Sequence, residues 1–243
     1  MAVFRMKIAG AVAAVASLFD STPHYLGAYL TDEAPDFSVV VTEEDLRFEQ
    51  AELDAEAAEE GFRRRAFTDP FLERAAIQRA FAEYLFRQDT LLVHGSAVAV
   101  DGKAYLFMAK SGTGKSTHTR FWREVFGDRA VMINDDKPFL ALTDRGVVAY
   151  GSPWSGKHGL DTNISAPLAG ICILERGSEN KILPISAPEA LEMLRKQSYC
   201  PMDAAARPRF EALTAQLAAV VPLWRMTCTK DPQAASLAHD TMG

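Results

Sequence analysis

Tyr105-Leu-Phe-Met-Ala-Lys-Ser-Gly-Thr-Gly-Lys-Ser-Thr117 is the stretch from which the rest of the chain can be read. Its first four residues are apolar and suit a buried strand. It then breaks at Ala109-Lys-Ser-Gly-Thr-Gly-Lys-Ser116 and continues with helical grammar to about Gly127. Gly112 and Gly114 admit backbone angles that a side chain would oppose. Successive N–H groups in such a loop point inward as an anion nest, and the helix that follows adds its positive end. The pattern is that of a phosphate-binding loop (P-loop). Ser111, Gly112, Thr113, Gly114, Lys115, Ser116 and Thr117 form the candidate nucleotide cradle. Lys115 is placed to neutralise the β- and γ-phosphates, and the Ser116 hydroxyl to ligate Mg²⁺. Ala109 stands where such loops usually begin with glycine. A positive φ there would cost roughly 1–2 kcal/mol, and a negative φ almost nothing.

Working outward, Ala130–Ile133 reads as a strand that delivers Asn134-Asp135-Asp136 at its end. One carboxylate suffices to hold a metal beside Ser116. A second can accept a proton from an incoming hydroxyl, and like charges this close push their pKa values apart. Upstream, Leu91–Val93 and Ser96–Val100 read as strands, with a hairpin turn at Asp101-Gly102. Further strands are expected at Val147–Tyr150, Gly170–Leu174 and Leu223–Thr227. Ser186-Ala-Pro-Glu189 is a capping box that opens a helix. Strands mixed with helices in this way indicate an α/β fold.

The order His94-Gly-Ser-Ala97, glycine loop, Asp135-Asp136 resembles the HPr kinase/phosphorylase family. It is also similar to the core of ATP-dependent phosphoenolpyruvate carboxykinase. The resemblance covers about residues 90–176. It implies a P-loop core with a mixed β-sheet flanked by helices, preceded by a small N-terminal α+β extension. The expected division is 1–88 for the extension and 89–243 for the kinase core with its C-terminal helices. The resemblance further implies that Lys115 contacts the transferred phosphoryl group, that Ser116 and Asp136 bind metal, and that Asp135 is the general base. Sequence alone leaves the two acids free to exchange roles. His94 is expected beside the metal or γ-phosphate.

Gly151-Ser-Pro-Trp-Ser-Gly-Lys-His158 is dense in glycine and follows a strand. Such a loop can close like a lid and bring Lys157 to the transition state as an arginine finger does. Trp154 either stacks on substrate or anchors this loop. Asp161, Thr162 and Asn163 either line an acceptor pocket or form a turn. Glu175-Arg176-Gly177 suggests an ion pair in preference to a cap on the nucleotide, and His118 is expected on the helix surface.

The remaining sequence sets boundaries. A chain of 243 residues with 48% hydrophobic and 24% charged content is globular in balance. Its net charge of −6 argues against a general nucleic-acid binder. Cys172, Cys200 and Cys228 are too scattered for a disulfide framework or a zinc site. Ile8–Phe19 is apolar, but a bilayer needs roughly 20 residues. With Phe4, Met6 and Ile8 alternating against Arg5 and Lys7, the reading is a buried strand pair and not a secretory signal. Ser38–Thr42 reads as a strand, and Thr42-Glu-Glu-Asp45 as a helix start. Glu43–Glu60 is acidic, a solvated face before a docking strip for a basic partner. Asp69-Pro70 opens a second helix with Asp69 as N-cap.

Together these readings lead to an ATP- and Mg²⁺-dependent cytoplasmic kinase. Its acceptor is a hydroxyl, serine foremost, on a protein, peptide or small molecule. Asp135, Lys115, His94 and Lys157 are the expected catalytic residues. No nucleic-acid or membrane partner is expected, and the ring assembly of the resembled kinases raises a homo-oligomer. Two alternatives compete: a nucleotide-responsive regulatory binding protein, and a carboxykinase-like small-molecule enzyme. Against the latter, no arginine set is placed to grip a dicarboxylic acid.

Overall fold

The computed structural model describes residues 1–59, 61, 63 and 65–243, which fall into two compact units, Met1–Tyr84 and Leu85–Gly243. Glu60, the end of the acidic stretch, lies outside the described residues.

In the first unit, β1 (Ala2–Ile8) and β2 (Ala11–Ser17) pair antiparallel. The turn between them places Ala9 and Gly10 at φ of 48° and 88°, so the apolar run bends back on itself. Met6 and Ile8 are buried and Arg5 is exposed, as period-2 alternation requires. A short helix α1 (Thr22–Leu26) leads to β3 (Phe37–Val40), which joins β2 in parallel. Thr42 opens α2 (Glu43–Glu59): its amide donates to Asp45 Oδ2 at 2.9 Å, and its hydroxyl accepts from the Asp45 amide at 3.3 Å. The last helix, α3 (Asp69–Phe86), starts one residue earlier than Asp69-Pro70 implies. The amides of Phe71 and Leu72 donate to the Thr68 carbonyl, so Asp69 lies inside the first turn. Arg79 ties α2 to α3 through Asp45 at 3.0 Å and Glu49 at 2.6 Å. Among the described residues, no helix is long and apolar enough to cross a membrane.

The second unit runs β4 (Thr90–Leu92), β5 (Ser96–Val100), β6 (Lys103–Met108), α4 (Lys115–Phe126), β7 (Ala130–Asn134), β8 (Phe139–Thr143), β9 (Gly146–Tyr150), β10 (Ser165–Arg176), β11 (Lys181–Pro184), α5 (Ala187–Lys196), α6 (Arg207–Val220), β12 (Leu223–Cys228) and α7 (Gln233–Met242). Among the described residues its strands make one mixed sheet in the order β4-β8-β9-β10-β6-β5-β7, with β12 on β10 and β11 on β12. The fold is therefore mixed α/β, with helices on both faces. Alternation along β6 and β10 divides the core. Leu106, Met108, Ile171 and Ile173 pack with Leu194, Leu213 and Leu217 of α5 and α6. Tyr105, Phe107, Cys172 and Leu174 pack with Phe121, Trp122 and Ala238 of α4 and α7. Each large side chain so buried contributes about 1.5–3 kcal/mol.

Pairing directions fix where the site forms. β5 is antiparallel to both β6 and β7, so β6 and β7 point the same way and end on the edge where β5 begins. β10 is parallel to β6, and β12 to β10. The ends of β6, β7, β10 and β12 and the start of β5 thus share one edge of the sheet.

Candidate functional site

The loop between β6 and α4 begins at Ala109, which is fully buried. Among the described residues, the non-glycine positions with positive φ are Ala9, Asp89 and Asp101, so Ala109 has an ordinary backbone and costs nothing there. The sharp turning falls on Gly112 and Gly114, at φ of 74° and 123°. Gly114 is the N-cap of α4, and no side chain caps that helix start. The first amides of α4 are therefore open to solvent or to a ligand. Lys115 Nζ donates to the Ala109 carbonyl at 3.4 Å. Of the cradle, Ser111 and Gly112 are exposed, and Thr113 to Thr117 are half-buried.

The acids at the end of β7 have different surroundings. Asp135 is 6% exposed and its Oδ1 accepts from Ser96 Oγ at 2.6 Å. The Ser96 hydroxyl also meets Thr119 Oγ1 at 2.9 Å, which reaches the carbonyls of Lys115 and Ser116 in the first turn of α4. Asp135 is thus wired to the helix that carries Ser116. Asp136 is more open and pairs with His94 Nε2 at 3.2 Å. Burial pushes its carboxyl pKa up. The His94 hydrogen bond and the charges of Lys137, His94 and Lys115 outweigh that, and the carboxyl lies below its ordinary value. His94 is held by its amide, which donates to Gln197 O at 2.6 Å, and the Gly95 amide donates to Asp136 O at 3.0 Å.

Asn134, fully buried, makes the acidic turn rigid. Its Oδ1 accepts from the amides of Asp136 and Lys137 at 2.7 and 2.6 Å. Its Nδ2 donates to Ser152 O at 2.7 Å and to Ser152 Oγ at 3.1 Å. One side chain therefore couples the acids to the loop that follows β9. The sequence reading passed over it, although an Asn before two acids at a strand end is a known turn former. Gly151 of that loop lies so close to Thr162 that a Cβ would stand 2.0 Å from its carbonyl oxygen. Trp154 is buried, which makes it an anchor and not a stacking platform. Ser155 Oγ donates to Asp161 Oδ1 at 2.6 Å, so Asp161 braces the loop, while Thr162 and Asn163 are exposed. Gly156, at φ 68°, abuts Asp136: a Cβ there would lie 3.2 Å from the Asp136 Cβ. Lys157 follows it on an exposed short turn, Gly156–His158.

One expectation needs correction, and another is met by a different partner for each residue of the pair. His118 is not on the helix surface but 3% exposed, with Trp122 Nε1 donating to its Nε2 at 3.1 Å. Glu175 pairs with Arg225 at 3.4 Å, while Arg176 turns to the glycine loop and donates to the carbonyls of Gly112 and Thr113. Among the described residues, no three His, Cys, Asp or Glu side chains converge on one point. Oxygen donors on this edge include the hydroxyls of the loop, Ser116 among them, and the two aspartates at the end of β7.

Residues 75–229 match the family model described as SynChlorMet cassette protein ScmC. The match spans more than half of the chain, which therefore belongs to the ScmC family. No curated protein matches it.

Proposed function

We propose that this ScmC-family chain is an ATP- and Mg²⁺-dependent phosphotransferase with a P-loop core of the HPr kinase/phosphoenolpyruvate carboxykinase type. It acts where cytosolic ATP is available and phosphorylates a hydroxyl, serine foremost, of a protein, peptide or small molecule. One observation supports this above the others: a two-glycine loop, an uncapped helix start and two inequivalent carboxylates share one sheet edge. A hydroxyl and one or two carboxylates, completed by phosphate oxygens, are the hard oxygen donors that Mg²⁺ favours. When bound, the ion neutralises charge on the β- and γ-phosphates.

The surroundings of the two acids favour exchanging their expected roles. Asp135, buried and wired through Ser96 and Thr119 to the first turn of α4, is the metal-side carboxylate with Ser116. Asp136, more open and facing the Gly156 turn, is where an acceptor hydroxyl can reach. It takes the hydroxyl proton as the acceptor oxygen bonds to the γ-phosphorus and the bond to the β-phosphate oxygen breaks, releasing ADP. His94 holds the Asp136 carboxylate, Lys115 neutralises the transferred phosphoryl group, and Lys157 approaches from the loop.

The test is transfer of label from γ-labelled ATP into a peptide or metabolite pool. Asp136→Asn is expected to lower transfer at least a hundredfold with ATP binding retained. Asp135→Asn is expected to lose the Mg²⁺ dependence of ATP binding. Undiminished transfer by Asp136→Asn would refute the base assignment. Absence of Mg²⁺-dependent ATP binding by the wild type would refute the function.

A further inference from the structure

Arg176 and Cys228 end parallel strands on the edge that carries the glycine loop. Between these strand ends and α4 lies a pocket of about 300 Å³. Gly112, Thr113 and Gly114 form part of its wall, so it opens directly beside the phosphate cradle. Its volume is at the lower end for small-molecule pockets.

One wall carries an unspent donor. His118 lines the pocket, and its ring is wedged edge-on against Phe107 with centroids 4.5 Å apart. An indole N–H can only donate, so the Trp122 bond makes His118 Nε2 an acceptor and places the ring proton on Nδ1. Burial lowers the imidazole pKa to about 4, so the ring stays neutral at pH 7. Among the described residues Nδ1 has no hydrogen-bond partner. Nδ1 is not one of the fully enclosed atoms that lack a partner, so solvent or a ligand in the pocket can reach it. Phe121 adds an apolar surface, and Arg176 and Lys230 add cations at the exposed rim.

We propose that this pocket is the nucleoside subsite of the phosphoryl donor, and that His118 Nδ1–H hydrogen-bonds the base. The proposal rests on the phosphotransfer reading and adds which pocket and which residue of this chain hold the nucleoside of ATP. The ring nitrogens of a purine are acceptors of the kind the neutral imidazole needs. The ribose would lie toward Thr117, between base and phosphates, with Lys230 and Arg176 beside the sugar–phosphate junction.

The experiment is calorimetric titration of the full chain with MgATP and with magnesium tripolyphosphate. MgATP is expected to bind at least tenfold more tightly. His118→Phe keeps an aromatic ring against Phe107 and removes the donor. It is expected to bring ATP affinity to within about threefold of tripolyphosphate, whose own affinity is unchanged. Lys230→Ala, at an exposed site, is expected to weaken ATP about threefold to fivefold and serves if His118→Phe does not fold. Equal affinity of the wild type for the two ligands would overturn the pocket and leave the phosphate cradle standing. So would an ATP preference untouched by either variant. Binding of neither ligand would overturn the cradle as well.

Discussion

The two halves of the site are built by opposite means. The glycine loop, residues 109–116, is shaped almost wholly by backbone: two positive-φ glycines, a helix start without a side-chain cap, and Arg176 clasping two carbonyls from outside. The acidic turn and the loop after β9 are shaped by side chains: Asn134, Ser152, Ser155 and Asp161 interlock in a mostly buried network. Backbone amides suit a polyanion because they offer donors without bulk. Carboxylates that must be placed within a fraction of an ångström need a fully satisfied network behind them.

The largest effect is expected where the side-chain half is cut. Asn134→Ala removes four hydrogen bonds at once and leaves buried partners unsatisfied. A loss of about 3–4 kcal/mol in denaturant unfolding is expected, with transfer falling below a hundredth of wild type. Retention of both would show that the acids do not depend on this turn.

Next comes the pH response of the helix that carries the backbone half. His118 has a folded-state pKa of about 4, against 6.5 when unfolded. Below pH 6.5 the unfolded chain binds the proton and the folded chain does not. Stability from this residue is therefore present above 6.5 and is lost as pH falls toward 4, by roughly 3 kcal/mol in all. The difference in unfolding free energy between wild type and His118→Gln, followed from pH 7 to 4, isolates that share. A difference that stays constant would contradict the burial argument.

Smaller effects separate the loop's glycines from its alanine. Gly114→Ala forces a Cβ onto φ 123° and is expected to cost on the order of 1–3 kcal/mol in stability or nucleotide affinity. Ala109→Gly restores the commoner first residue of such loops, yet the native φ already suits alanine. It is expected to lower stability by about 0.5–1 kcal/mol by thermal unfolding, through added freedom of the unfolded chain. A gain from Ala109→Gly would mean that the position is strained after all.

What the sequence reveals follows the same divide. β5, the Asp101-Gly102 turn and the start of α5 are written locally, in alternation, a positive-φ pair and a capping box, and the structure has them at those residues. β10 is expected only from Gly170 because Pro167 interrupts the pattern, yet it begins at Ser165, where it pairs with β9. β8 and β11 escape notice: the first begins just after Pro138, and the second is short, mostly exposed and ends in proline. His118 reads as a surface residue because its helix is polar around it. Its burial depends on Phe107 in a neighbouring strand and on Trp122 one turn away. Arg176 reaches the glycine loop from more than sixty residues away, a contact no local pattern encodes.

Gly151 carries a consequence in genetic terms. Its α-carbon leaves no room for a methyl group against the Thr162 carbonyl or, beyond it, that of Ile133. Every missense change that a single base can make in a glycine codon installs a residue with a Cβ. The codon therefore has no neutral missense neighbour: lineages that descend from this gene either inherit the glycine or must rebuild the turn that braces their acids.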